Sequence, residues 1–151
     1  MAIQVGDSIP DANINILKDG VQAVSTGEFF KGRKVVLFAV PGAFTPTCSA
    51  KHLPGYIEHA EAFTAKGYDV ACLSVNDAFV MSAWAKSQNA PESIQMIADG
   101  NAEFTKALGL ELDATPFGMG LRAKRFALVA DDGKVTQLFI EAPGEFSVSS
   151  A

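Results

Sequence analysis

One segment of the chain combines residue types whose spacing could do chemistry: Pro41-Gly42-Ala43-Phe44-Thr45-Pro46-Thr47-Cys48, directly after the apolar run 35–40. Thr45 followed by Pro46 reads as a helix N-cap and first helical residue. Cys48 then falls in the first turn, beside amide groups that lack intrahelical partners. A thiol in that position can become a nucleophile, because the thiolate is the reactive form. With a free pKa near 8.5, only about 3% of a thiol is ionised at pH 7, and a pKa of about 6 raises that to roughly 90%. Such a shift needs roughly 3.4 kcal/mol at about 1.36 per unit, of which a helix terminus supplies about 0.3–1. A cation about 4 Å away, worth on the order of 4 kcal/mol at an effective dielectric of about 20, would cover the rest. Arg125 is the candidate, since an otherwise buried strand rarely begins with a guanidinium unless it has a partner. Arg122 and Lys124 stand close by, and charge alone does not separate the three.

The other reactive side chains read more plainly. Cys72 lies within the apolar stretch 70–75 and is expected to pack in the core. His52 follows Cys48 by four residues on the same helical face, so a cysteine–histidine nucleophile pair is conceivable. Pro54 should distort that helix, however, and a structural or hydrogen-bonding role is expected for His52. His59 is expected at the surface and Trp84 in the core. A disulfide oxidoreductase would want a cysteine where Thr45 stands. A cysteine protease would need a histidine base on a separate element, and both histidines follow Cys48 on its own helix.

The elements that must position these residues follow from periodicity and turn chemistry. Residues 12–17 alternate as a strand, Asp19-Gly20 signals a hairpin, and 21–24 return. Thr26 is a candidate cap for a short helix carrying Phe29 and Phe30. Residues 34–40 and 69–75 read as central strands covered on both faces. Asp77 caps a helix with Phe79, Val80, Ala83 and Trp84 on one face, 94–98 form a strand, and Asn101 caps a helix ending at Gly109. Residues 125–130 and 134–141 form a hairpin across Asp132-Gly133. This order predicts one α/β domain over 1–151: a mixed sheet between helices, compatible with a thioredoxin-like core preceded by an N-terminal hairpin. Such a core normally ends on a helix. The closing Val148-Ser149-Ser150-Ala151 is where that helix would begin with a serine cap, so a final element is expected to be missing.

Composition bounds the partners. The net charge of −5 and the absence of a basic run argue against nucleic acid and anionic membrane. The longest apolar run is too short to span a bilayer, and the N-terminus lacks the features of a secretory signal. Two cysteines make no disulfide framework, which suits a reducing cytoplasm, although a processed organelle protein would look the same.

Taken together, these residues resemble the peroxiredoxins. Pro41, Thr45 and Cys48 match that family's proline, threonine and peroxidatic cysteine in type and spacing. The string from Pro41 through Cys48 and Ser49, followed by His52-Leu53-Pro54-Gly55, is similar to the branch of animal type-five and plant type-II enzymes. Residues 71–80 and Lys124-Arg125-Phe126-Ala127 match the same branch. The resemblance spans nearly the whole chain and implies a thioredoxin-like fold and a thiol-dependent peroxidase acting on hydrogen peroxide and organic hydroperoxides. It implies that Cys48 becomes a sulfenic acid and that Thr45 and the Cys48 amide hold the peroxide. Arg125 would stabilise the charge and Pro41 would shield the sulfur. It implies no metal, flavin or haem. Some members carry a resolving cysteine far along the chain, and no cysteine follows Cys72 here. A one-cysteine mechanism is therefore expected, recycled by glutathione, glutaredoxin or thioredoxin. The alternative is a peroxide sensor or redox relay that passes the oxidation to a partner protein. The resemblance also implies a homodimer through the surface around the Cys48 loop and the neighbouring helix start. The uncharged Pro41, Ala43, Phe44 and Pro46, with Phe79 opening that helix, agree with an exposed apolar cluster there. The alternative is that Phe44 packs inside its own chain as part of the peroxide pocket, where Phe44 and Phe117 would line an apolar mouth.

Overall fold

The computed structural model describes residues 2–17, 21–45, 48–91, 93–141 and 149, the side chains of Cys48 and Ala50 excepted. Seven strands form one sheet in the order β2-β1-β5-β4-β3-β8-β9. At its centre β3 (Lys34–Ala39), β4 (Asp69–Ser74) and β5 (Ile94–Ala98) run parallel. β8 (Phe126–Asp131) and β9 (Lys134–Ile140) add an antiparallel hairpin beside β3. β1 (Asn13–Leu17) and β2 (Val21–Ser25) pair antiparallel and join the far edge through β5, as expected of the N-terminal hairpin. The Asp19-Gly20 turn itself lies outside the described residues. The mixed sheet between helices is the thioredoxin-like arrangement read from the sequence.

Strand alternation splits the core in two. Val35, Leu37 and Ala39 of β3 face a cluster with Phe30, Phe104 and Leu108, from α1 (Thr26–Phe30) and α4 (Glu103–Leu108). Val36, Phe38 and Val40 face the opposite way, onto Leu53 and Tyr56 of α2 (Leu53–Ala65) and Trp84 of α3 (Ala78–Ser87). Each large side chain buried in this way contributes about 1.5–3 kcal/mol of transfer free energy. Because both faces are covered, the ends of the central strands are the places where side chains can meet solvent.

Three expectations about caps and faces change. Ser25, not Thr26, caps α1, its hydroxyl accepting from the Glu28 amide at 3.2 Å. Thr26 is buried and spends its hydroxyl on Pro10 O and the Ala12 amide. α4 takes its cap from Asp99, whose carboxylate accepts from the Phe104 and Thr105 amides, while the expected Asn101 is exposed. The side chain that reaches the free amides of a first turn need not be the nearest polar residue in sequence. In α3 the buried stripe is Ala78, Met81 and Trp84, and Phe79 is 68% exposed. One element escaped the sequence reading altogether, a small hairpin of β6 (Glu111–Asp113) and β7 (Leu121–Ala123) around a single 3-10 turn at Thr115–Phe117. Three-residue strands carry too little alternation to show a period. Of the closing segment only Ser149 is described, so the expected terminal helix lies outside the described residues.

Candidate active site

The chemistry-bearing segment begins where β3 ends. The Val40 amide still bonds Leu73 O at 3.0 Å, and half-buried Pro41 then carries the chain off the sheet. Gly42 is buried where a side chain would be crowded: a Cβ there would lie 3.1 Å from Thr45 Cγ2 and 3.2 Å from Arg122 Nη1. The Thr45 hydroxyl donates to Gly42 O at 2.6 Å and so closes the loop on itself. The Ala43 amide donates to Asn76 Oδ1 at 3.0 Å, an oxygen that also accepts from Ser74 Oγ at 2.5 Å, and this ties the loop to the end of β4. Phe44 takes a left-handed φ of 65°, unusual for a bulky residue, and leaves its ring 56% exposed.

The Thr45 carbonyl accepts from the Ser49 amide at 2.9 Å, the first bond of a helical turn and the behaviour expected of an N-cap carbonyl. Pro46, expected as the first helical residue, lies outside the described residues. The turn that follows is not the regular α-helix expected. Cys48–His52 form a π-helical turn, and α2 begins only at Leu53, with Pro54 in its first turn. Pro54 has no amide to donate four residues back, so a regular ladder cannot run through it, whereas a proline is harmless at a helix start. Wide turns of this kind occur often at functional sites. Ser49, next to Cys48, accepts from the buried Trp84 indole at 3.0 Å.

His52 ends this turn, and its side chain is fully buried. Arg125 Nη1 donates to His52 Nδ1 at 2.8 Å. A guanidinium can only donate, so Nδ1 presents its lone pair and the ring proton sits on Nε2. That proton points to Ser149 O at 3.1 Å, which also accepts from the Tyr56 hydroxyl at 2.8 Å. Ser149 is held in turn by buried Glu141, whose Oε2 accepts from the Ser149 amide at 2.9 Å and hydroxyl at 2.8 Å. The Glu141 amide donates to Arg125 O at 3.0 Å. Burial is the main force that lowers the His52 pKa to about 4; the Ser149 bond opposes it, the Arg125 charge adds to it, and Glu141 opposes it again. Burial also pushes the Tyr56 hydroxyl well above its ordinary range, with its ring stacked on Phe38 at 3.9 Å.

Of the sequence candidates, Pro41, Thr45 and the backbone of Cys48 follow one another at the end of β3, and Arg125 is anchored to the turn that Cys48 opens. Arg122 occupies the other flank, donating to Met119 O at 2.9 Å and Val75 O at 3.2 Å. Cys72 is fully buried on β4, and His59 is exposed with Nδ1 bonded to Gly55 O. Phe44, Phe79 and Phe117 are all exposed. Tyr56 and Glu141 were not singled out by the sequence, Asn76 entered only within the family-matching stretch 71–80, and Ser149 only in the closing segment expected to begin a helix with a serine cap. Among the described residues no group of three or more histidine, cysteine, aspartate and glutamate side chains could hold a metal ion.

Residues 4–151 match the Redoxin family. The chain is 51% identical over 152 residues to Peroxiredoxin-2B of Arabidopsis thaliana, covering 99% of this chain and 94% of that one. It is 53% identical over 156 residues to the chloroplastic Peroxiredoxin-2E-2 of Oryza sativa subsp. japonica, covering 99% of this chain and 69% of that one. The crystal structure of reduced Prx3 in complex with hydrogen peroxide from Vibrio vulnificus superposes with a TM-score of 0.94 at 56% identity, covering 99% of this chain and 94% of that one.

Proposed function

Since this chain belongs to the peroxiredoxins, the thiol-dependent peroxidases within the redoxin family, we propose that it reduces hydrogen peroxide and organic hydroperoxides at Cys48. The Cys48 thiolate attacks one oxygen of the peroxide. A sulfur–oxygen bond forms as the oxygen–oxygen bond breaks, and the second oxygen leaves as water or alcohol after taking a proton. The sulfur is oxidised by two electrons to a sulfenic acid. One donor thiol then displaces water to give a mixed disulfide, and a second thiol releases Cys48.

The observation that carries this reading is the anchoring of the Arg125 guanidinium to the turn that Cys48 opens. A fixed cation there favours the thiolate and the charge that develops on the leaving oxygen. Because that turn is π-helical rather than the start of a regular α-helix, more of the required shift falls to the cation. Arg122 is already committed to two backbone carbonyls, which favours Arg125 for the role. The Thr45 hydroxyl gives its proton to Gly42 O and so offers lone pairs to the proton of an incoming hydroperoxide, while the Cys48 amide donates to the oxygen under attack. Pro41 limits water at the sulfur.

The donor thiol comes from outside the chain. Cys72 is fully buried on β4, which favours a packing role over that of a resolving thiol. Glutathione, glutaredoxin or thioredoxin would serve, in a reducing compartment such as the cytoplasm. We also infer a homodimer formed near the Cys48 loop, where a second copy would cover the exposed Phe44 ring; Phe79, at the start of α3, is exposed as well. Peroxide consumption measured side by side with glutathione plus glutaredoxin and with thioredoxin tests the reading. Many turnovers with at least one donor are expected. A single stoichiometric oxidation with every donor would overturn catalysis and point to the sensor.

A further inference from the structure

We propose that Glu141 and Ser149 form a latch that positions Arg125 through His52. This rests on the reading that Arg125 serves Cys48. A neutral histidine has two tautomers, and only the one protonated on Nε2 can accept a bond from Arg125. The other would aim an N–H at a guanidinium, exchanging a hydrogen bond for two opposed donors. The choice is made on the far side of the ring, where Ser149 O can only accept and therefore holds the proton on Nε2.

Ser149 O is itself held in place. A single carboxylate oxygen of Glu141 takes both the amide and the hydroxyl of Ser149, and the Tyr56 hydroxyl takes a second share of the carbonyl. Glu141 also binds the Arg125 backbone through its own amide, so Arg125 is gripped at both its carbonyl and its guanidinium. Glu141, Ser149, His52 and Tyr56 are all buried, where water cannot replace a lost partner. A buried carboxylate is costly unless its bonds are good, and here Oε2 accepts two of them from Ser149. Glu141 and Ser149 are thus positioning residues for the peroxidase centre: they fix a proton, the proton fixes a ring, and the ring fixes the cation.

The test reads the tautomer first. Nitrogen-15 NMR of His52 in the full chain at neutral pH is expected to show a neutral ring protonated on Nε2. Glu141→Ala should bring the other tautomer into the mixture, raise the Cys48 thiolate pKa and slow the peroxide reaction roughly tenfold, the scale of one buried hydrogen bond. Glu141→Gln, which keeps an acceptor, should recover most of the loss, and it serves together with Tyr56→Phe if Glu141→Ala does not fold. His52→Asn places an amide oxygen near the position of Nδ1 and should retain more rate than His52→Gln, whose amide reaches the Nε2 side instead. A ring protonated on Nδ1 in the wild type would overturn the latch, as would a folded Glu141→Ala variant with unchanged tautomer and rate. The tautomer is read without peroxide, so a failure of the Cys48 reading would show separately, as peroxide reduction that survives Cys48→Ser.

Discussion

His52 should make the fold sensitive to mild acid, and a His52→Asn exchange should remove that sensitivity. The ring is fully buried with a pKa of about 4, against about 6.5 in an unfolded chain. Between these values the unfolded chain binds a proton that the folded one does not, so stability falls as pH falls. The slope is about 1.36 kcal/mol per pH unit, and over the window from about 6.5 to about 4 it sums to about 3 kcal/mol. That is a large fraction of the roughly 5–15 kcal/mol that holds an ordinary domain together. Protonation places a proton on Nδ1, where Arg125 now donates, while Glu141 and the Ser149 carbonyl are the nearby groups that oppose the loss. Asparagine cannot titrate, and it keeps an acceptor for Arg125 while giving up the bond to Ser149. Near neutral pH the variant should therefore be less stable by about 1–2 kcal/mol. Urea unfolding of both proteins, at points from about pH 7.5 down to about pH 4, gives the difference and cancels the groups they share. The gap should be constant above about pH 6.5, then close and reverse toward about pH 4. Curves that stay parallel throughout would refute the reasoning.

Arg125→Ala should raise the Cys48 pKa by about 2 units and slow the peroxide reaction by roughly two orders of magnitude, read by thiolate absorbance against pH and by stopped flow. Arg122→Ala should leave that pKa in place and lower stability by about 1–2 kcal/mol, through the lost bonds to Met119 O and Val75 O; a pKa shift confined to Arg122→Ala would move the cation. Gly42→Ala should slow the reaction more than it destabilises the fold, because the new methyl presses on Thr45 Cγ2 and Arg122 Nη1, and a wild-type rate would show that the loop tolerates the crowding. The wild type should sediment as a dimer, and Phe44→Arg should dissociate it. A wild-type monomer at high micromolar concentration would remove the dimer, and a dimer indifferent to the arginine would relocate its interface.

What could be read in the sequence was what depends on neighbours along the chain. The run 35–40 announces a strand covered on both faces, and the structure buries every one of its residues. Cys72, inside a similar run, packs in the core as expected. The loop from Pro41 to Thr45 was legible because glycine, threonine and proline act on their own backbone, as the Thr45 bond to Gly42 O illustrates. Interactions that close across long separations were not. His52 meets Arg125 from 73 positions away, and Ser149 meets His52 from 97. The sequence reading of a hydrogen-bonding His52 was right in kind but gave no hint of its partners. Trp84 was read as core, and its burial agrees, yet its indole reaches Ser49 across 35 positions. Helical period groups Phe79 with Trp84 on one face of α3, whereas the buried stripe is Ala78, Met81 and Trp84; the exposed Phe79 agrees with its other reading, in an apolar cluster at the helix start.

Whether Cys48 is the oxidised sulfur is decided most directly by one paired measurement. Cys48→Ser and Cys72→Ser are each exposed to hydrogen peroxide without donor and analysed by intact mass with a sulfenic-acid trap, beside a turnover assay with donor present. Cys72→Ser should trap one sulfenic acid at Cys48 and keep most of its turnover, while Cys48→Ser should trap none and turn over no peroxide. A folded Cys48→Ser protein that still consumed peroxide, or a sulfenic acid trapped at Cys72 in the wild type, would contradict that assignment.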